Sequence, residues 1–153
     1  MHELDIAWAA GFFDGEGCIQ IRKSKTGNKM YYTLLVSIDN TDPRPLLDLK
    51  RIMGGVTKLK GAQSIHSDTW ENRSVWRWAV MSKQAELILR SLLPYLRNKK
   101  EEAELALLYR ETLVGPKGYK GFDEESVIKI REKLQQLKVR EWYPWWEENT
   151  GDF

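Results

Sequence analysis

Cysteine is almost absent from this chain. The lone Cys18 excludes an internal disulfide framework and any cysteine-rich zinc site. No apolar run approaches the roughly 20 residues that a membrane-spanning helix needs. The first residues lack the basic-then-apolar shape of a signal peptide. There is no internal repeat and no low-complexity tract. These absences predict an intracellular protein with no membrane partner; they leave open prokaryotic or phage-host cytoplasm, or an organelle. Net charge is small as well, +2, but it hides an asymmetry. Residues 1–100 carry 16 Lys and Arg against 10 Asp and Glu, whereas residues 101–153 carry 8 against 12. The basic part is the one expected to touch a polyanion. At 153 residues the chain is expected to be one domain, 1–153, large enough to bury a core without staples.

What is present is organised around residues 8–17, Trp-Ala-Ala-Gly-Phe-Phe-Asp-Gly-Glu-Gly. Ala7, Gly11 and Gly15 recur every fourth residue, so on a helix they form a smooth stripe that another backbone can approach closely. Glycine inside a helix costs roughly 1 kcal/mol against alanine, and two on one face therefore point to a close contact. Gly17 suits the helix stop. Glu16 falls in the last turn, where the helix dipole disfavours an anion. A carboxylate placed there needs a cation, and a bound metal would supply one.

In chain order, Leu4–Gly15 reads as the first helix. Cys18–Ser24 alternates, with Ile19 and Ile21 on one face and Gln20, Arg22 and Ser24 on the other, as a half-buried strand does. A Thr26-Gly27-Asn28 turn leads to a second strand, Met30–Asn40, so the pair predicts a hairpin. Asp42 caps a helix with Pro43 at its first position, ended by Gly54-Gly55. Val56–Gly61 and Val75–Met81 predict a second hairpin. Ser82 is expected to cap a helix running to Pro94, and another helix spans Lys99–Leu113. A Gly/Pro/Lys loop at 115–121 precedes a final helix capped by Asp123, with Val127, Ile130, Leu134 and Leu137 as its apolar stripe. Lys138 and Arg140 stand at its end, favourable to the dipole. The aromatic cluster Trp142–Trp146 carries no functional reading; packing of the tail onto the body or a partner is its expected role. The fold class is α+β, a core over 4–113 in the order αββαββα with a C-terminal helical extension over 122–153.

Residues 9–17 resemble the LAGLIDADG motif of homing endonucleases. Ala10, Gly11, Asp14 and Gly17 are in place, Phe12 and Phe13 stand for two large apolar residues, and Gly15 and Glu16 are common variants. Ala9 departs from the usual leucine at the first position. The αββαββα order is also that of this family, which supports the motif. The resemblance implies a four-stranded antiparallel curved sheet lying in the DNA major groove, with the first helices of two units packed on a two-fold axis. A single motif implies a homodimer, its contact built from Ala7, Trp8, Gly11, Phe12 and Gly15.

The resemblance further implies metal-dependent cutting of both DNA strands. Cutting a phosphodiester needs an activated water and stabilisation of extra negative charge, which divalent metals supply. Two Glu16 carboxylates brought together on the axis would repel; Mg²⁺, or another divalent cation such as Mn²⁺, relieves that cost. Glu16 is thus the implied metal ligand, with the Gly15 carbonyl secondary, and no organic cofactor is implied. Asp14, at the motif's other acidic position, is expected to be structural. Asn40, Arg44 and Lys99 match the positions of supporting residues that orient water or contact phosphate, with Lys100 the alternate to Lys99.

The polar face of the strands is the expected surface for double-stranded DNA: Gln20, Arg22, Ser24, Tyr31, Thr33, Ser37, Lys58, Lys60 and Arg77. Arg and Gln can pair bidentately with guanine and adenine edges, while Lys25 and Lys29 near the turn suit phosphate. On the fourth strand Trp76 and Trp78 are assigned to the core and Arg77 to the DNA face; a slip of one residue would reverse this. Symmetric readers predict a long, roughly palindromic site. Two other classes compete: a binding module of the same fold, a regulator or an intron maturase acting on RNA, without cleavage, and a structural oligomer whose glycine-rich helix is a packing device. Glu16→Gln separates them.

Overall fold

The structure, a computed structural model, describes residues 2–60, 75–115, 118–119 and 121–139. Gly61, Arg140 and the Trp142–Trp146 cluster lie outside the described residues. The elements are α1 (Glu3–Glu16), β1 (Gly17–Thr26), β2 (Lys29–Asn40), α2 (Pro43–Met53), β3 (Val56–Lys60), β4 (Val75–Met81), α3 (Ser82–Leu92), α4 (Lys100–Leu113), β5 (Val114–Gly115), β6 (Gly118–Tyr119) and α5 (Glu124–Lys138). The strands β1 to β4 form one antiparallel sheet in the order β1-β2-β4-β3. The expected 115–121 loop instead contains part of a small hairpin, β5 against β6.

Alternation decides which side of the sheet is covered. Ile19 and Ile21 of β1, Leu34, Val36 and Ile38 of β2, and Trp78 and Val80 of β4 are all buried. They meet Ala9, Ala10 and Phe13 of α1, Leu46 and Leu49 of α2, Leu89 and Leu92 of α3, and Ala103, Ala106 and Tyr109 of α4 in one core cluster. The helices thus cover one face of the sheet, and the other face carries none of the described helices. In register, Ile38 opposes Trp78 and Asp39 opposes Arg77, so the tryptophans face the core and Arg77 the opposite side, as expected. The buried Trp78 indole donates to the Gly54 carbonyl at 2.8 Å.

Local chemistry sets the ends of the elements. Gly27-Asn28 joins β1 to β2, with φ of +59° at Gly27, the first central position where a type II′ turn wants glycine. The Asp42 side chain accepts from Arg44 N–H and caps α2, and Asp123 does the same for α5 through Ser126 N–H. Ser82 is different. It is the first residue of α3, at φ +52°, and its hydroxyl makes no cap. Gly17 ends α1 for a reason of space, not handedness. Its φ is −72°, which any residue adopts, but a Cβ there would lie 2.3 Å from the Phe13 ring and 2.4 Å from the Phe13 carbonyl oxygen.

Candidate active site and nucleic-acid interface

The C-terminal end of α1 gathers the motif's chemistry. Ala9, Ala10 and Phe13 bury one side of the helix, which aims Asp14 at the segment before α4. The Asp14 carboxylate accepts from three backbone N–H groups, Arg97 at 2.7 Å, Asn98 at 3.1 Å and Lys99 at 2.9 Å. It therefore caps the approach to α4 from another helix. Burial pushes its pKa up, but those three bonds and the Lys99 charge outweigh it and hold the carboxyl below its ordinary value. Lys99, only 6 % exposed, folds back so that Nζ donates to the Asp14 carbonyl oxygen at 3.0 Å. An ammonium at a helix C-terminus is the favourable sign for the dipole. Lys99 thus sets an ammonium at this helix end, and Asp14 is tied into the fold by its three backbone bonds.

Glu16 is exposed, and no described hydrogen bond or ion pair uses its carboxylate. Among the described residues no group of three or more His, Cys, Asp or Glu side chains could hold a metal. One chain therefore offers a carboxylate and, one residue earlier, the Gly15 carbonyl. Both are hard oxygen donors of the kind Mg²⁺ prefers, but they are too few to complete its shell. The donor chemistry fits a divalent cation whose remaining ligands come from outside the chain.

Asn40 and Arg44 sit where β2 turns into α2. The β1–β2 register pairs Gly17 with Ile38, which sets the end of β2, and so Asn40, alongside the end of α1. Asn40 Oδ1 accepts from Asp42 N–H at 2.9 Å. Arg44 clamps Asp42 through Nε at 2.9 Å and Nη2 at 2.6 Å, with its side chain otherwise in solvent. That contact raises the Arg44 pKa and lowers that of Asp42. Neither engagement was legible in the sequence. Lys99 joins the helix end through a direct hydrogen bond, whereas Asn40 and Arg44 bond to Asp42.

On the uncovered side of the sheet, Gln20, Arg22, Ser24, Lys29, Tyr31 and Lys58 are exposed and Thr33 is half-buried; Lys25, exposed near the turn, pairs with Met30 and shares the parity of Ile19 and Ile21. Register puts Ser24 opposite Tyr31, Arg22 opposite Thr33 and Gln20 opposite Leu35. Lys60 lies opposite Val75 at the end of β3. Ser37 departs from the expected exposed surface. It is 5 % exposed, set between Cys18 and Ala79 in the ladder. Arg77 is engaged: Nε and Nη2 donate to Asp39 Oδ1 and Oδ2, both at 2.6 Å. This bidentate bond, foremost, raises the Arg77 pKa. Arg77 was assigned to the polar strand face from the sequence, but Asp39 was not, and their pairing needed the β2–β4 neighbourhood that the strand order reveals.

A further feature escaped the sequence reading. The strand β1 is an edge, and α5 covers it. Arg131 Nε donates to the Ile21 carbonyl at 2.8 Å, and Lys138 Nζ donates to the Ile19 carbonyl. These donors occupy carbonyls that would otherwise invite another strand. Between edge and helix lies a cleft of about 400 Å³ lined by Gln20, Arg22, Lys23, Arg131 and Lys138 among others; it includes none of Glu16, Asn40, Arg44 or Lys99.

The other side of α1 is bare. Leu4 is 72 % and Trp8 42 % exposed, with Trp8 stacked on Phe12 at 5.7 Å between ring centroids. A Cβ added at Gly11 or Gly15 would meet nothing within 4 Å. The two glycines of the stripe therefore meet nothing within the described chain, while Ala7 is half-buried.

A glycine-rich helix ending in an acid, set beneath an antiparallel sheet with an open polar face, defines a fold shared with known proteins. Residues 9–105 match the LAGLIDADG endonuclease family, and the chain belongs to it. It is 31% identical over 111 residues to DNA endonuclease I-CvuI of Chlorella vulgaris, a match spanning 69% of this chain and 63% of that protein's length. Homing endonuclease I-CvuI in complex with its target superposes with a TM-score of 0.70 at 23% identity, over 92% of this chain and 85% of that one. The archaeal intron-encoded homing endonuclease I-Vdi141I complexed with DNA gives 0.60 at 16% identity, over 88% and 98%. These likenesses show the fold. In none of the described residues is a helix long and apolar enough to cross a membrane.

Proposed function

We propose that this protein is an intracellular, site-specific DNA endonuclease that cuts both strands of a long, roughly palindromic duplex as a homodimer, using Mg²⁺ or Mn²⁺. Residues 1–153 would act as one domain, core 4–113 with extension 122–153. Family membership supports the reaction, and I-CvuI, similar to this chain, is a DNA endonuclease. One observation carries the reading. The exposed carboxylate of Glu16 ends the same helix whose glycine face is bare. A second copy docked on that face through Ala7, Trp8, Gly11, Phe12 and Gly15 would bring two Glu16 carboxylates to one axis.

In that assembly Glu16 and the Gly15 carbonyl hold the divalent cation, which supplies water activation and charge stabilisation at the phosphate. Lys99, fixed on the Asp14 carbonyl, adds positive charge beside the helix end, where the phosphate gains negative charge. Asn40, its Oδ1 committed to Asp42 N–H, presents its amide nitrogen to water or phosphate. Arg44 contributes a guanidinium on the same side. The strand residues Gln20, Arg22, Ser24, Tyr31, Thr33, Lys58 and Lys60 meet base edges in the major groove, while Lys25 and Lys29 hold phosphate.

The test is cleavage of a randomised duplex library by the purified protein in Mg²⁺, with EDTA as control. Metal-dependent double-strand cuts sharing a palindromic consensus are expected. Enrichment of bound sequences without cuts, at saturating protein, would replace the reading with a binding module. Neither cuts nor binding would leave the fold alone standing.

A further inference from the structure

Arg77 is not a free arginine on the open face of the sheet. Its Nε and Nη2 are both bonded to Asp39 at 2.6 Å across the β2–β4 ladder, where the two residues oppose each other in register. The pair is neither buried nor loose: the side chains are 36 % and 33 % exposed. An exposed ion pair alone is worth little, and a short bidentate contact on a surface meant for a polyanion places a carboxylate where it repels phosphate. Such an anion is costly for non-specific binding unless it does something else.

Guanidinium geometry says what that is. Arginine carries five N–H donors in a planar fork. Bonding through Nε and one hydrogen of Nη2 fixes the plane and leaves the end-on edge, Nη1 together with the second hydrogen of Nη2. That edge has the spacing to meet guanine O6 and N7 together. The strands on either side supply no competing acid in register, Arg77 facing Lys58 on β3.

We infer that Asp39 is a positioning residue for specificity: it locks Arg77 on the sheet so that the free edge of the guanidinium reads one guanine in each half-site. The inference rests on the proposed function. A locked fork loses less conformational entropy on binding than a free arginine side chain. Its fixed plane also rejects bases that a swinging side chain would accommodate. Asp39 thus trades some general affinity for discrimination at one base pair.

The experiment is selection of bound duplexes from a randomised library in EDTA, which blocks metal-dependent cutting, with wild type, Arg77→Ala, Asp39→Ala and Asp39→Asn. Melting curves establish that each is folded, and Asp39→Asn keeps the shape where Asp39→Ala perturbs the sheet. Wild type is expected to prefer guanine at one symmetric pair of positions by about ten- to a hundredfold, and Arg77→Ala to lose that preference alone. Both Asp39 variants should reduce it at least several-fold while binding unrelated duplex more tightly, a split that a merely structural role would not give. Three results overturn the inference and leave the DNA-binding reading intact: a consensus unmoved by Arg77→Ala, full guanine discrimination in both Asp39 variants, or loss of a cytosine preference in those variants alone, which would make Asp39 itself the reader. Absence of any bound consensus from wild type would overturn the proposed function along with it.

Discussion

The Asp14 carboxylate accepts N–H groups from Arg97, Asn98 and Lys99, so Asp14→Ala leaves three donors unmet at a partly buried site. Each such donor costs about 1–3 kcal/mol when buried, less where water reaches it, and a loss of at least about 2 kcal/mol is expected from denaturant unfolding. The depressed pKa of Asp14 fixes the sign with pH. Between its folded pKa and the ordinary carboxylate value the unfolded chain binds more protons, so stability rises with pH there. The contribution is present above about pH 4 and lost as pH falls through the folded pKa; Asp14→Asn should flatten that acid limb. The glycines divide in the same way. Gly17→Ala forces a Cβ within 2.4 Å of the Phe13 backbone oxygen and should destabilise the monomer, while Gly11→Ala and Gly15→Ala meet nothing within 4 Å. The latter two should keep or raise the melting temperature of the monomer and weaken self-association, read by sedimentation across a concentration series.

At the scale of elements, periodicity was enough to place the main helices and strands: β1 buries alternate residues against one layer of helices, although β2 is buried without a break from Leu34 to Ile38. Trp78 and Arg77 took their faces from alternation together with the larger area a tryptophan buries. What the sequence concealed were contacts between elements far apart in the chain. Asp14 reaching 97–99, Asp39 pairing with Arg77, and Arg131 and Lys138 donating to β1 carbonyls all depend on packing that no local pattern encodes. Ser37 shows the converse: its polarity suggested the open face, but its neighbours Cys18 and Ala79 in the ladder enclose it. Of the helix-end residues, Glu16 stands in the last turn of α1 as its spacing predicted, exposed. The engagement of Asn40 and Arg44 with Asp42 was not legible in the sequence. The cover over β1 makes its own prediction. Arg131→Ala with Lys138→Ala removes two donors from the Ile19 and Ile21 carbonyls, at a cost of about 1 kcal/mol per bond. Amide exchange should speed up in α5, around Val127 and Leu134, before it does in β2.

Among the described residues, one layer of helices supports the four-stranded sheet, and two surfaces are left open: the polar sheet face and the glycine side of α1. The basic surplus of residues 1–100 belongs to the sheet half, so binding to duplex DNA should weaken steeply with salt. If about six phosphates are neutralised per complex, affinity should fall by roughly a thousandfold between 50 and 200 mM salt. The helix α1 joins the two surfaces, because it carries the bare glycines and ends in Glu16 where the sheet begins. The most direct test of its role uses a duplex recovered from library cleavage, with binding and cutting measured side by side for wild type and Glu16→Gln in Mg²⁺. With Glu16 as the metal ligand, cutting should fall at least about a thousandfold, the rate equivalent of about 4 kcal/mol, while affinity for the duplex and melting temperature stay close to wild type. Cutting by Glu16→Gln at the wild-type rate would contradict the assignment of the metal site to the end of α1.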